Sequence, residues 1–315
     1  MYDVIIIGGG ISAFGAAVYC GRFQLKTLVI GGNVGGTVVL AGNISNYPGF
    51  KEITGMELFD RVKGHAEDYG IEAREQKVER IEKSAGYFKV SGKDYSYKSR
   101  TIIIATGTEW RKLNVPGEKE FSNKGVHYCA LCEGMLYKDK VIGVVGGSDS
   151  AAKEALLLAE YGRKVYIIYR KEKIRAEPIN LKRVEQNKKI EVISNTNIKE
   201  IRGDRFVTGV VFDKPYKGSK EFRLDALFIE IGHVPVSGLA KQIGVKTNRK
   251  GEIISSKETA ATNVKGVYAC GDVADNRFKQ AITGVAEGVI AAYNVYQYIN
   301  NEMMVCGCSD DGTDA

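Results

Sequence analysis

The chain has 315 residues, 44% hydrophobic and 26% charged, which is long for one domain and suits two domains with sizeable cores. Its formal net charge is +7, from 45 basic and 38 acidic residues; the basic residues are spread along the chain without an RNA- or DNA-binding signature, so no nucleic-acid partner is expected. No apolar run reaches the roughly 18 residues of a membrane span, Val4–Ile7 is too short for a signal peptide, and six cysteines make no disulfide framework, so the expected place is the reducing cytoplasm, where a close cysteine pair is catalytic or metal-binding.

In chain order, Val4–Ile7 predicts a buried strand, Gly8–Gly10 a turn, and the Ala-rich run Ser12–Arg22 a helix. Thr27–Ile30 predicts the next strand and completes a βαβ start. Met56–Tyr69 has the pattern of a helix, and from Ile71 to Tyr97 the chain alternates in short strand-like pieces. Thr101–Ile104 predicts another buried strand, ended by Ala105-Thr106-Gly107. The pattern then restarts, with strand Val141–Val145, turn Gly146-Gly147, helix Ser150–Tyr161 and strand Lys164–Tyr169. This is a recurring domain type, far longer in period than a solenoid. Strands continue through Ile231; Val267–Cys270 predicts a late strand into Gly271-Asp272, and Phe278–Tyr298 a long helix. Val115-Pro116-Gly117-Glu118 and the stretch Pro235–Gly238 read as linkers.

Two glycine turns carry nucleotide chemistry. Gly8-Gly9-Gly10-Ile11-Ser12-Ala13 fits G-x-G-x-x-A. Gly8 permits the tight turn, Gly10 lets the backbone approach a pyrophosphate, Ala13 lets helix pack on strand, and the helix N-terminus at Ile11 and Ser12 turns free N–H groups to the phosphates. The acidic ribose partner expected about 20 residues on is missing; Asn33 stands there. A glycine turn without ligand is the competing reading. The second fingerprint is Gly146-Gly147-Ser148-Asp149-Ser150-Ala151. Ser148 replaces a glycine and crowds the phosphate approach, although its hydroxyl can bond a phosphate. The next strand ends in Tyr169-Arg170-Lys171, followed by Lys173 and Arg175. Cations there suit a 2′-phosphate and point to NADPH over NADH; a solvated basic loop is the plain alternative.

Cys129-Ala-Leu-Cys132 stands just upstream of the second fingerprint. It can be a metal half-site, a redox pair or two structural cysteines. A Cys₄ zinc site needs a second pair, which only Cys306-Gly307-Cys308 supplies. Redox chemistry is favoured, since a C-x-x-C thiol can have a lowered pKa and react as thiolate; no metal is expected. Glu133 follows directly, placed to protonate a leaving thiolate or to face the N-terminus of a helix. His127 is a proton relay or, more simply, a packed histidine, and nothing groups it with His65 and His233 as metal ligands. Cys20 and Cys270 read as small packed residues.

Taken together these features resemble the low-molecular-weight (class II) thioredoxin reductases of the pyridine nucleotide–disulfide oxidoreductase superfamily, over about residues 1–300. The resemblance rests on GGGISA at Gly8, NYPG at Asn46, ATG at Ala105, CALCEG at Cys129, GGSDSA at Gly146, YRKEKIRA at Tyr169, IGHVP at Ile231 and GDVADNRFKQA at Gly271. It implies an α/β fold of two Rossmann-like, three-layer ββα nucleotide-binding domains. An FAD domain would comprise residues 1–113 and 242–300, an NADPH domain with the dithiol, 114–241, would be inserted into it, and 301–315 would form a tail. The resemblance assigns FAD to Gly8, Gly10, Ile11, Ser12 and Ala13, to Gly35, Gly36, Thr37 and Asn46, to Thr106 and Gly107, and to Gly271, Asp272, Lys279, Gln280 and Ala281. It assigns NADPH to Gly146, Ser148, Asp149, Ser150, Arg170, Lys171 and Arg175. Electrons would pass from NADPH through FAD and the Cys129–Cys132 disulfide to a thioredoxin-like protein. Cys132 would take the flavin side, Cys129 would attack the partner, and Glu133 would be the acid where relatives commonly carry Asp. A homodimer formed through the FAD domain is implied, with an NADPH domain that swings on the two linkers. Tyr169 and Ser148 depart from the family pattern, and the Cys306/Cys308 tail lies beyond its core; that tail is either an outward electron shuttle or a polar frayed terminus. A dithiol oxidase, a disulfide reductase fed by another donor, and a flavin-binding redox sensor without turnover are the competing functions.

Overall fold

The run Tyr2–Ile7 forms a strand whose residues from Val4 to Ile7 are buried, as a near-continuous apolar run in a parallel sheet must be. The computed structural model describes residues 1–41 and 43–307 of the chain. Around this strand lies a seven-stranded sheet in the order Glu72–Arg74, Thr27–Ile30, Tyr2–Ile7, Ser96–Ile104, Tyr87–Ser91, Arg80–Ser84, with Val267–Ala269 pairing the C-terminal half of Ser96–Ile104. The register pairs Ile7 with both Ile30 and Ile104, so the central parallel strands end together. Alternate residues serve opposite layers. Val4 and Ile6 pack with Phe14 and Ala17 of the helix Ile11–Arg22 and Ala291 and Val295 of the helix Ala281–Gly307. Ile5 and Ile7 pack with Ile81, Phe88 and Val90 of the antiparallel hairpin, and with Val245 and Ile253.

The two helices approach closely because small residues line their contact. A Cβ on Gly288 would fall 2.5 Å from the Ser12 carbonyl oxygen, and one on Gly15 would fall 3.1 Å from the Val285 Cα. The final helix departs from expectation at both ends. It begins at Ala281, because Thr283 Oγ1 accepts the Gln280 N–H at 3.0 Å and donates to the Gln280 carbonyl at 2.9 Å, holding the preceding residues in a loop. It runs past Tyr298 to Gly307, since no glycine or proline interrupts the chain between Gly288 and Gly307. Of the expected tail pair Cys306/Cys308, Cys308 lies outside the described residues.

The second unit repeats the plan. Val141–Val145 is central in a five-stranded parallel sheet ordered Val126–His127, Ala226–Ile229, Val141–Val145, Lys164–Ile168, Ile190–Ile193. Ile142, Val144, Ile167 and Phe228 face the helix Asp149–Tyr161. Val145, Ile168 and Ile229 face Val210 and Phe212 of an antiparallel meander, Ile198–Gly203, Val207–Tyr216 and Ser219–Arg223.

One compact unit is Met1–Glu109 with the chain from Val234 onward; the other is Trp110–His233. The stretch Val115–Glu118, expected as a linker, is instead a packed turn of the second unit. Glu118 is 6% exposed, and its carboxylate accepts from Leu113 N at 2.9 Å, Asn114 N at 2.6 Å and Tyr128 OH at 2.7 Å. A Cβ on Gly117 would sit 2.1 Å from the Ile201 carbonyl oxygen. Pro and Gly mark a turn in sequence whether it is mobile or packed. The crossings fall earlier, at Glu109/Trp110 and His233/Val234, where Thr108–Trp110 and His233–Pro235 pair as a two-stranded ribbon. Gly107 and Gly232 flank them with φ of +63° and +94°.

Candidate active site

The first fingerprint sits at the C-terminal edge of the central parallel strands, where open α/β sheets bind ligands. Gly8 N donates to the Ile30 carbonyl at 2.8 Å, and Ala105 N to the Ile7 carbonyl at 2.8 Å. Gly8 has φ +137°, and a Cβ there would lie 2.2 Å from the Ala105 carbonyl oxygen. Gly10 is different: its Cβ direction is open, with only Gly36 Cα near, at 3.9 Å. Gly35 N donates to the Gly9 carbonyl at 2.8 Å, which lays the Gly35-Gly36 turn against Gly10. The helix that starts at Ile11 has no side-chain cap and no acid in its first turn, so no carboxylate of that turn competes for its leading N–H groups. This cradle fits a pyrophosphate.

The far end of the unit closes on the same place. A Cβ on Gly271 would fall 2.6 Å from Ser12 Oγ, and one on Gly284 2.3 Å from it. Gly271 N donates to Glu287 Oε2 at 2.8 Å. Asn46 Nδ2 donates to Gln280 Oε1 at 3.0 Å, so two expected cofactor residues 234 positions apart touch. Lys279 Nζ is engaged by the Asp272 carbonyl at 2.6 Å and by Glu252 at 2.7 Å. Thr106 Oγ1 donates to the Val236 carbonyl at 2.7 Å, and Thr37 opens the short turn Val38–Leu40.

In the second fingerprint, Gly146 has φ +152° and a Cβ there would meet the Glu230 carbonyl oxygen at 2.1 Å. The Tyr169 ring covers Gly147, whose Cβ would lie 2.4 Å from it. Ser148 and Ser150 are exposed, and the Ser148 side chain makes no capping bond at the helix start, Asp149. Asp149, expected to face the cofactor, is turned inward: its carboxylate accepts from Glu177 N and Asn180 Nδ2 at 2.9 Å each and pairs with Lys153 at 2.8 Å. Those bonds fasten the segment after the basic loop to the fingerprint helix. Arg175 N donates to the Gly147 carbonyl at 2.7 Å, which sets Arg175 beside the turn. Arg170, Lys171, Lys173 and Arg175 are exposed, and among the described residues none has an acidic partner.

Cys129 and Cys132 form a disulfide. Cys129 ends the approach to the one-turn helix Ala130–Glu133 and is 8% exposed; Cys132 is exposed. Cys132 N donates to Cys129 Sγ at 3.2 Å. Both sulfurs and a carboxylate oxygen of Glu133 lie within 4.8 Å of one another, so the glutamate reaches the dithiol despite its extra methylene. The sulfurs are bonded to each other, which leaves neither as a thiolate for a metal. Burial pushes the Glu133 carboxyl above its ordinary value and His127 below its own. His127 Nε2 shares a 2.7 Å hydrogen bond with Tyr137 OH, its ring lies on Phe228, and Nδ1 stands 3.8 Å from Glu133 Oε2.

A model of the pyridine nucleotide-disulphide oxidoreductase family matches residues 2–288. The chain belongs to that family. It is 37% identical over 302 residues to the thioredoxin reductase of Bacillus subtilis, covering 95% of each chain. Among solved structures, Lactococcus lactis thioredoxin reductase has a TM-score of 0.91 at 36% identity, covering 96% of this chain and all of that one. The T. acidophilum thioredoxin reductase has a TM-score of 0.88 at 35% identity, covering 94% and 98%. As in those relatives, the fold comprises two Rossmann-like nucleotide-binding domains.

Within this family member, three residues tied to the dithiol turn directly or through a neighbour have no motif to mark them in the sequence. Glu154 Oε1 accepts the Ala130 N–H at 3.1 Å. Its carboxyl is raised to about 8 by burial and by the Glu230 charge. Glu230, at the end of Ala226–Ile229, is raised to about 7 by burial, against a hydrogen bond with Trp110. Tyr137 bonds His127. Glu154 had one legible signal, a charge within the Ala/Leu-rich helix; Glu230 had another, an acid at the end of an otherwise apolar strand.

Proposed function

We propose that the chain is an NADPH-dependent thioredoxin-disulfide reductase that moves two electrons from NADPH through FAD and the Cys129–Cys132 disulfide to a thioredoxin-like protein. The observation that carries this is the disulfide itself, formed in a unit with its own nucleotide fingerprint and with a protonatable carboxyl beside it. When bound, FAD supplies the two-electron link between a nicotinamide and a disulfide. The first fingerprint, the Gly35-Gly36 turn, Asn46 with Gln280, and the Gly271-Asp272 turn would hold it. Arg170, Lys171 and Arg175 would hold the NADPH 2′-phosphate, while Ser148 and Ser150 would meet the remaining phosphates.

The protein's own residues then handle sulfur and proton. Breaking the disulfide yields two sulfurs that need two protons to become thiols. Glu133, whose carboxyl burial raises above its ordinary value, supplies one to the sulfur that leaves. The resulting Cys129 thiolate attacks the partner's disulfide, and Cys132 resolves the mixed disulfide. In this form Cys132 is the exposed sulfur and Cys129 the buried one, so Cys129 reaches a protein partner only after a rearrangement. Gly107 and Gly232, with no atom within 4 Å of an added Cβ, support such a movement at the crossings. Leu131, Met135 and Leu136 are exposed beside the dithiol and would offer a partner an apolar edge. No helix among the described residues is long and apolar enough to cross a membrane; a reducing compartment such as the cytoplasm suits a dithiol that must stay reducible, and the homodimer is carried over from the family resemblance.

The test is an anaerobic titration of purified protein. NADPH should bleach the flavin absorbance and turnover should reduce thioredoxin. Cys129→Ser and Cys132→Ser should each keep the bleaching and abolish the transfer. Absence of bleaching by NADPH removes the donor; turnover surviving both substitutions removes the dithiol.

A further inference from the structure

Sulfur exchange needs one carboxyl, Glu133, yet a second, Glu154, is hydrogen-bonded to the dithiol turn and a third, Glu230, acts on Glu154. Glu154, from the second turn of the helix Asp149–Tyr161, takes the N–H of Ala130, a residue inside the C-x-x-C itself, at 3.1 Å. Its other oxygen, Oε2, is buried without a hydrogen-bond partner, as are Glu133 Oε2 and His127 Nδ1. His127 is 3% exposed, so its unpaired nitrogen faces the cluster, 3.8 Å from Glu133 Oε2. Glu230, 6% exposed, supplies the third carboxyl. The charges acting on Glu154 are those of Glu230, from the strand end, and Glu133, from the dithiol turn. His127 stands beside Glu133 and shares a hydrogen bond with Tyr137, on which the Glu133 charge also acts. No lysine or arginine is among the groups that act on Glu154. Burial raises all three carboxyls above their ordinary values, and the neighbouring negative charges of Glu230 and Glu133 raise Glu154 further.

We propose that Glu154 is a positioning residue that couples proton uptake to reduction of the Cys129–Cys132 disulfide, acting through the Ala130 N–H and through its repulsion with Glu133. This rests on the reading of that disulfide as the redox centre. Two electrons, supplied by NADPH in the established activity of the family, break the S–S bond. One sulfur is protonated through Glu133 and the other remains a thiolate. That new negative charge raises the proton affinity of the ionised Glu154 carboxylate, which takes one proton from solvent. The products are one thiol, one thiolate and one neutral carboxyl, for two electrons and two protons consumed. When the disulfide re-forms, Glu154 releases its proton. The coupling appears where the oxidised protein holds Glu154 ionised, at and above pH about 8. There each pH unit weighs against reduction by one proton more than it would without the carboxyl.

The experiment equilibrates the purified holoprotein with dithiothreitol redox buffers across that window and below it, and quantifies alkylated Cys129 and Cys132 by peptide mass. Glu154→Gln keeps an oxygen for the Ala130 N–H and cannot take a proton. Above pH about 8 the wild-type equilibrium constant should fall an extra tenfold per pH unit relative to Glu154→Gln. Below about pH 7 the two should run parallel. Glu230→Gln removes a charge that raises Glu154, so the steep region should begin at lower pH. The same pH dependence in wild type and Glu154→Gln overturns the proposal. If Glu154→Gln does not fold, an unshifted profile in Glu230→Gln overturns it instead. Neither NADPH nor thioredoxin enters this measurement, so a failed NADPH titration and a failed Glu154 coupling are separate results.

Discussion

Gly8 and Gly10 stand in one motif and are glycine for different reasons. At Gly8 the folded backbone itself forbids a side chain, by φ +137° and by the Ala105 carbonyl 2.2 Å from a Cβ. At Gly10 φ is −88° and the space is open; only a bound phosphate would contest it. Gly8→Ala should therefore destabilise the apoprotein by more than about 1 kcal/mol in urea unfolding. Gly10→Ala should unfold within about 1 kcal/mol of wild type yet retain FAD at least roughly tenfold more weakly, a difference of about 1.4 kcal/mol. Equal loss of stability in both variants would refute the distinction. The carboxyl at Glu133 invites a further measurement. Glu133→Gln should cut thioredoxin turnover by roughly 10²-fold while leaving the rate of flavin bleaching by NADPH unchanged. The motif glycines and Glu133 were legible because their chemistry is local in sequence. Glu154 and Glu230 were not, since Glu154 meets the Ala130 N–H from a helix and Glu230 acts on Glu154 from a strand end, and only the folded sheet brings these elements together.

At the level of elements, the strand Lys164–Ile168 delivers the basic loop to the second fingerprint. Its cations have no acidic partner among the described residues, and the C-terminal end of the loop is fastened twice, by Arg175 N to the Gly147 carbonyl and by Glu177 N to Asp149. A solvated loop would have no need of such fastening. Replacing Arg170 and Lys171 together by Ala should raise the KM for NADPH by roughly tenfold or more and leave that for NADH within about twofold, since charge-assisted phosphate bonds contribute about 1.5–3 kcal/mol. Equal effects on the two nucleotides would make the loop a surface feature. Strand positions were read well from apolar runs such as Thr27–Ile30 and Val141–Val145, because parallel strands buried on both faces leave an unbroken signature. The crossings between the units are less legible: Val115–Glu118 has the composition of a linker, while Glu118 binds it down with three hydrogen bonds. The final helix was stopped too early because Tyr298 ends no pattern; the next helix-breaking residue is Gly307.

For the molecule as a whole, buried acids set the response of stability to pH. Glu154 and Glu230 are raised from 4.5 to about 8 and about 7, in both cases chiefly by burial. In the unfolded chain they release their protons near 4.5, whereas the folded protein holds them longer. Between those limits the folded state binds more protons, so stability falls as pH rises from about 5 through about 8. Glu191 works in the opposite sense. Hydrogen bonds from Tyr216 and Lys217 hold it down to about 2, so what it contributes is present above about 4.5 and lost as pH falls towards 2, discounted for its partial exposure. The urea midpoint should thus be lower at about pH 8.5 than at about pH 6, and Glu154→Gln should flatten that decline. A midpoint that is level across this range in wild type would contradict the burial of the pair.

The contact of Gly271 and Gly284 with Ser12 carries a consequence for how the protein is made. A ribosome delivers the first fingerprint well before the residues that complete its cradle, whereas Trp110–His233 emerges between them as one uninterrupted stretch. Domains fold as units during synthesis, so the dithiol unit can mature first, while the nascent amino-terminal strands wait for the carboxy-terminal helix. Flavin capture then waits for the segment after His233, and a truncated chain ending near His233 should emerge from the cell colourless.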